Sequence, residues 1–335
     1  MLKEKSIVGK CRNTNIEVLR LILMLAIFVG HVVYHGYNFP EICRNRYTGV
    51  PGYYILIFIN LLCTPAVDCF MFISGYYGIK FSLKKFLSLV AVMFILVTCI
   101  TIAVSFGQKN ISIGTPINVL LRWSFMHYYL MVYLLAPVLN KGIEALNKSQ
   151  FNVLLILLFC FNFYSFICDG GYDVETFILL YFIGKYCSRY YIGLTLRKSA
   201  YLFNAFLLGI FGLELFCSVF SAAPIELRLL SYKDPAIIVM AICLFFVFYN
   251  IKPRYNRWLN KYLASCLFIY LITEGMAVSV PLYGYIRSFI EQGRYIQGII
   301  LSIGIILFCL VFGFVIKKVV DKFMGKISFS LNYLQ

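Results

Sequence analysis

Charge is scarce in this chain. Asp, Glu, Lys and Arg together make up 13% of the 335 residues, about half the share found in soluble domains. That excludes a water-soluble globule as the body of the protein. Polar stretches long enough for a sizeable soluble domain are lacking as well. The 12 cysteines show no C-x-x-C spacing, and Cys63, Cys69, Cys99, Cys160, Cys217, Cys243 and Cys309 fall inside apolar runs. They read as small buried hydrophobes, which excludes a disulfide or zinc framework. Low-complexity linkers and internal repeats are missing too, which speaks against inverted-repeat transporter architectures.

What fills the chain is apolar. Hydrophobic residues make up 61% and aromatics 18%, and the mean hydropathy is +0.85. A spanning helix needs about 20 mostly apolar residues, and the apolar runs give ten approximate spans: 16–37, 52–79, 86–106, 116–140, 151–168, 174–192, 200–220, 235–251, 262–283 and 295–316. The expected fold is all-α, a polytopic membrane helix bundle of about ten transmembrane helices, with residues 1–335 forming one membrane domain.

The net charge of +16 reads as an orientation signal rather than a nucleic-acid footprint. Of the 30 Lys and Arg, 20 lie in the loops on the side of the N-terminus, from Lys3, Lys5, Lys10 and Arg12 to Lys317, Lys318, Lys322 and Lys326. Seven lie on the opposite side, namely Arg44, Arg46, Lys109, Arg228, Lys233, Arg287 and Arg294. Arg20, Arg122 and Lys185 fall within spans. The positive-inside rule then places both termini in the cytoplasm. The basic start and the apolar run after it mimic a signal peptide, but that run has no small-residue cleavage site and contains Glu17, Arg20 and His31. It is expected to be a retained first helix.

Ionisable groups inside a span are costly and raise a functional hypothesis. They are Glu17, Arg20, His31, His35, Asp68, Arg122, His127, Lys185, Glu214 and Glu274. From Arg20 to His31 the first helix rises about 16 Å, which puts Arg20 near the cytoplasmic surface and His31 beyond the midplane. Asp68, His127 (about eleven residues into span four) and Glu274 (about twelve into span nine) are expected near mid-depth. Other readings stand beside these. Glu17 and Arg20, three apart, suit a local ion pair at a helix start; His35 suits a solvated outer end; Glu214 and Arg122 suit snorkelling near outer ends. Lys185 with Arg189 suits a cytoplasmic anchor, and a lone intramembrane histidine such as His31 suits helix packing.

Four segments together resemble the acyltransferase family 3 integral membrane acyltransferases, especially bacterial polysaccharide O-acetyltransferases. In "RNTNIEVLRLILMLAIFVGH", Glu17, Arg20 and His31 repeat the family's acidic residue, arginine three on and histidine eleven further. "VDCFMFISGYYG" is similar to the Asp-apolar-Phe-Phe-x-x-Ser-Gly-Phe/Tyr signature. "MHYYLMVYLLAPVLN" is like the family's Trp-Tyr-Leu helix ending in a Leu-x-Pro turn. "TFILLYFIGKY", followed later by "SCLFIYLITEG", completes the set in the family's order. The chain departs from the pattern where span three opens with Lys84 and Lys85 instead of arginines and a proline, where Tyr128 replaces tryptophan, and where Thr273 stands in place of a common histidine, with Glu274 after it.

The resemblance implies transfer of an acyl group, commonly acetyl from cytoplasmic acetyl-CoA, to a hydroxyl of a cell-surface polysaccharide or glycan precursor, by a multi-pass protein of the bacterial cytoplasmic membrane. It needs acetyl-CoA as co-substrate, the lipid bilayer and the glycan acceptor as partners, and neither metal nor nucleic acid. On this reading His31 is the general base. Arg20, oriented by Glu17, binds a phosphate or polarises the thioester oxygen. Asp68 holds an imidazole in its productive tautomer, and Lys84 and Lys85 contact the CoA phosphates or serve as positive-inside anchors; His127 and Glu274 are candidate substrate-binding residues by their depth alone, not by the resemblance. Ser74 and Gly75 suit close helix packing rather than nucleophilic chemistry. A secondary transporter or glycan exporter using the same polar groups as a substrate or proton path is the alternative, with Pro65 and Pro137 as helix breakers. A non-catalytic membrane scaffold is the third reading.

Overall fold

Helix is the only regular structure among the described residues, 13–45, 52–108, 123–168, 173–219, 228–274 and 276–332 of a computed structural model. The helices are α1 (Thr14–His31), α2 (Phe39–Asn45), α3 (Tyr53–Cys63), α4 (Pro65–Tyr77), α5 (Leu83–Gln108), α6 (Ser124–Ala145), α7 (Lys148–Cys168), α8 (Val174–Arg189), α9 (Leu196–Val219), α10 (Pro235–Asn250), α11 (Arg257–Leu263), α12 (Leu267–Thr273), α13 (Met276–Glu291) and α14 (Tyr295–Asn332). Val32–Gly36 adds a π-helical turn to the end of α1.

Among the described residues, six segments are long and apolar enough to cross a membrane: Thr14–Gly36, Tyr53–Tyr77, Leu83–Ala103, Lys148–Cys168, Leu196–Ser218 and Tyr295–Phe323. This is a multi-pass membrane architecture, with six such segments where the apolar runs suggested ten. The difference has physical causes. At 16 residues, α8 and α10 each rise about 24 Å, short of a full hydrocarbon core. The ninth expected span is not one helix: Arg257–Thr273 and Val278–Glu291 meet at 86°. Pro137, by contrast, does not break α6, which runs through it to Ala145.

The chain divides into two units, the described residues of 1–80 with 131–260, and those of 81–130 with 261–335. The first is built around the crossing of α4 and α8. A Cβ at Gly184 would lie 2.6 Å from the Phe72 carbonyl oxygen and 2.6 Å from the Tyr76 nitrogen, and one at Gly75 would run into the Tyr181 backbone. Only glycine at both positions lets the two backbones touch. The reading of Gly75 as a packing residue thus matches the helix crossing, and the Ser74 hydroxyl donates back to the Phe70 carbonyl at 3.0 Å. Around this crossing α10 packs on α4, α1 and α9, α7 packs on α8, and α3 bridges α1 and α9. Leu61, Leu207, Ile210, Ile237 and Met240 form the seam between α3, α9 and α10.

Local sequence explains the helix starts. Asn13 caps α1 by accepting the Asn15 N–H at 3.1 Å, Asp173 caps α8, and Asp234 caps α10 by accepting the Ala236 N–H at 2.7 Å with Pro235 just inside. Each supplies a side-chain oxygen to an otherwise orphaned amide. In the second unit the long α14 packs along α5, α12 and α13, and Gly313 gives the Phe268 ring room to lie against its backbone.

Candidate active site

One continuous helix carries three of the residues singled out by the sequence. Eleven residues turn an α-helix through about 1100°, close to three full turns, so Arg20 and His31 share a face of α1 about 16 Å apart along the axis. Near its start, Arg20 Nη1 bonds Glu17 Oε1 at 2.8 Å. Glu17 is buried and Arg20 half-buried, so the buried carboxylate fixes the direction of the guanidinium. The local ion pair and the oriented arginine are thus the same geometry.

At the other end of α1 the backbone changes pitch. The π-helical turn underwinds Val32–Gly36 relative to an α-helix, and the rings of His31 and His35, four residues apart, stack with centroids 5.6 Å apart and planes 23° from parallel. His31 is half-buried and His35 exposed. The sequence offered no signal for this turn.

The start of α1 and the ends of α4 and α10 come together around the Glu17–Arg20 pair. Tyr77 closes α4 within electrostatic reach of both Arg20 and Glu17, and the Tyr76 ring lies 4.7 Å from Phe245 and 5.2 Å from Tyr249. Gly78 then turns the chain at φ +74°, where a residue with a Cβ is strained, and the Lys185 ammonium fills the space a Cβ would take. Lys185 is therefore half-buried beside the turn, with its ammonium 6.0 Å from the Tyr181 ring centroid, and is not simply a solvated anchor. The next residue is held on both sides. Ile79 N–H donates to the Tyr181 hydroxyl at 3.2 Å, that hydroxyl donates to Asn140 Oδ1 at 2.7 Å, and Asn140 Nδ2 donates to the Ile79 carbonyl at 3.0 Å. Segments quoted separately from the sequence meet here, since Asn140 ends one and Tyr181 lies in another.

Asp68 has a different setting from the one expected. It is fully buried, and neither carboxyl oxygen has a hydrogen-bond partner among the described residues. No imidazole is held by it in this structure, because the first turn of α4 aims the side chain into the apolar core. Glu214 also departs from expectation: it is completely buried in α9 rather than snorkelling. Arg122 lies outside the described residues.

In the second unit, Lys84 and Lys85 are exposed at the start of α5. His127 is half-buried in the first turn of α6, nearer a helix start than the eleven residues of span four implied. Glu274 caps the end of α12 at the 86° bend and accepts a hydrogen bond from the buried Tyr283 hydroxyl at 2.7 Å. Thr273, just before it, is buried and donates to the Ile269 carbonyl at 2.8 Å. Tyr283 is a partner that sequence reasoning missed; its position nine residues after Glu274 becomes meaningful only once the chain has bent.

Lys233 departs from its sequence reading as a loop cation: it is 1% exposed, with its ammonium 2.8 Å from Asp173 Oδ2 and 2.5 Å from Ser165 Oγ. Its carbonyl accepts from Asn162, whose own oxygen takes the Thr176 hydroxyl at 2.9 Å. Burial alone would raise the Asp173 carboxyl's pKa, but the hydrogen bonds from Lys233 and from the Thr176 amide, together with the Lys233 charge, hold it below its ordinary value. This network joins α7, α8 and the turn before α10. Among the described residues no group of three or more His, Cys, Asp or Glu stands together as a metal site.

The chain matches the family described as "Acyltransferase domain" (Acyl_transf_3) over residues 13–330. It therefore belongs to that family, the acyltransferase family 3 that its four segments resembled. Comparison with curated proteins and with solved structures found no match.

Proposed function

We propose that this protein is a membrane O-acyltransferase that moves an acetyl group from cytoplasmic acetyl-CoA to a hydroxyl of a cell-surface polysaccharide or glycan precursor. On this reading the whole chain works as one domain of about ten bilayer crossings with both termini in the cytoplasm, in the bacterial cytoplasmic membrane. The carrying observation is the Glu17–Arg20 ion pair, 2.8 Å long, on the same helix face as His31 in a chain that belongs to an acyltransferase family.

The chemistry follows from that arrangement. A sugar hydroxyl is a poor nucleophile, and a neutral imidazole at His31 removes its proton as the new C–O bond forms, an effect worth about 10²–10⁴-fold. Arg20 lies about 16 Å along α1 from His31 and is drawn toward Glu17, too far to share the reacting carbonyl, so its guanidinium binds a phosphate of the donor. The thiolate of CoA leaves and takes up a proton, and the acetyl ester is released with the acceptor. This reading assigns Lys84 and Lys85 to the donor phosphates and His127 and Glu274 to acceptor binding. Asp68, without a partner in the core, supports packing better than it supports orientation of an imidazole.

The test is release of CoA by the purified protein in lipid, with acetyl-CoA and a panel of glycans, for wild type beside His31→Ala and Arg20→Ala. Acceptor-dependent release that both folded variants lose supports the proposal. Wild-type activity retained in full by His31→Ala overturns the mechanism. The 86° bend at Glu274 favours a second reading, a transporter or glycan exporter, because discontinuous helices build substrate paths in such proteins. Proton-coupled uptake into vesicles without thiol release identifies that case.

A further inference from the structure

Segment Ile251–Asn256 follows α10 as an irregular strap, yet its backbone is tied to the first residues of α1 at four points. Thr14 N–H donates to the Arg254 carbonyl at 2.9 Å, and the Asn256 N–H donates to Thr14 Oγ1 at 2.8 Å. Asn15 Nδ2 lies 3.1 Å from both the Ile251 and the Lys252 carbonyls. Asn256 then caps α11 through the Leu259 N–H at 3.0 Å. Loops with free ends of this kind are ordinarily mobile; this one is fixed at both ends and stiffened inside by Pro253.

The fixed backbone carries cations. Lys252, Arg254 and Arg257 are all exposed, and none is paired with a carboxylate among the described residues. Positive-inside topology asks only for basic residues in such a loop; it does not ask that the loop be bonded to a particular helix. The helix chosen is the one with Glu17 and Arg20, and Asn15 and Arg20 are about 8 Å apart along its axis. Three unpaired cations on a preorganised frame suit a ligand with several phosphate groups, and guanidinium groups bind phosphate oxygens in a fork.

We propose that the strap Ile251–Asn256, with Lys252, Arg254 and the adjacent Arg257, binds the phosphates of the CoA donor and so aims its thioester arm past Arg20 toward His31. This rests on the acetyl-CoA reading above. Anionic lipid headgroups share the same phosphate chemistry and are the competing source.

The experiment uses the full chain in phosphatidylcholine nanodiscs, with calorimetric titration of CoA and of dephospho-CoA, which lacks the 3′-phosphate. Wild type is compared with Lys252→Gln/Arg254→Gln, with the charge-retaining Lys252→Arg/Arg254→Lys, and with Thr14→Val, which removes one of the strap's four ties but leaves its charges. The neutral pair is expected to bind CoA about tenfold or more weakly, as loss of two charge-assisted contacts implies, with a flatter salt dependence. Thr14→Val is expected to weaken CoA binding as well, and the charge-retaining pair to keep most of the affinity. Equal CoA affinity in wild type and the neutral pair overturns the inference while leaving the donor reading intact. Failure of wild type to bind CoA overturns both. If phosphatidylglycerol raises the thermal midpoint of wild type but not of the neutral pair, and CoA affinity is the same in the two, the strap binds lipid and the inference fails.

Discussion

Gly75 and Gly184 face each other where α4 crosses α8, and each occupies a position where the opposite backbone fills the space of a side chain. The aromatic ends of α4, the Tyr181 clamp on Ile79 and the Tyr76–Tyr249 contact all depend on that close approach. Gly184→Ala is expected to destabilise by about 1–3 kcal/mol through overpacking, and Gly75→Leu to give no folded protein. Thermal midpoints in detergent and size-exclusion profiles read both; an unchanged midpoint for Gly184→Ala refutes the backbone contact.

Lys233 and Asp173 make a pH-dependent contribution. The Asp173 carboxyl is held below its ordinary value, so its contribution to stability is complete above the unfolded value of about 3.9 and is lost as pH falls through the lower folded value. Between about pH 5 and pH 3 the midpoint of wild type should drop more steeply than that of Asp173→Asn, while near neutral pH the variant is less stable. Lys233→Met should cost about 1–3 kcal/mol, at the low end for a broken buried pair, because Asp173 keeps 30% side-chain exposure.

The bend at Glu274 gives a separable prediction. Tyr283→Phe removes the donor to a buried carboxylate and should destabilise by about 1–3 kcal/mol. In a double-mutant cycle with Glu274→Gln the two changes should be strongly non-additive. Additive effects would show that the 2.7 Å bond contributes little.

For catalysis, His31→Ala should lower kcat/KM about 10²–10⁴-fold with the thermal midpoint little changed, since the ring is only half-buried. Arg20→Ala should raise the KM for acetyl-CoA with kcat changed less, and Glu17→Gln should show a weaker form of the same defect. Steady-state CoA release with a fixed acceptor checks all three, and an Arg20→Ala variant with wild-type kinetics contradicts the role given to the ion pair.

Composition and apolar run length alone determined that this is an all-helical, multi-pass membrane protein, because a bilayer allows few ways to satisfy the backbone and demands long apolar segments. The polar positions within those runs also carried the resemblance to the acyltransferase family to which the chain belongs, since lipid penalises such groups and apolar segments match one another cheaply. Tertiary structure decided what the one-dimensional pattern could not carry. Hydropathy does not register an 86° bend, so Glu274 was read as lying within a straight span and Tyr283 went unnoticed. Local charge does not reveal burial, so Lys233 reads as a loop cation and Glu214 as a snorkelling carboxylate, though both are buried. Nor does a loop's composition say which helix it is bonded to. Residues 251–256 and the start of α1, more than 230 positions apart, become neighbours only through hydrogen bonds formed once the bundle has folded.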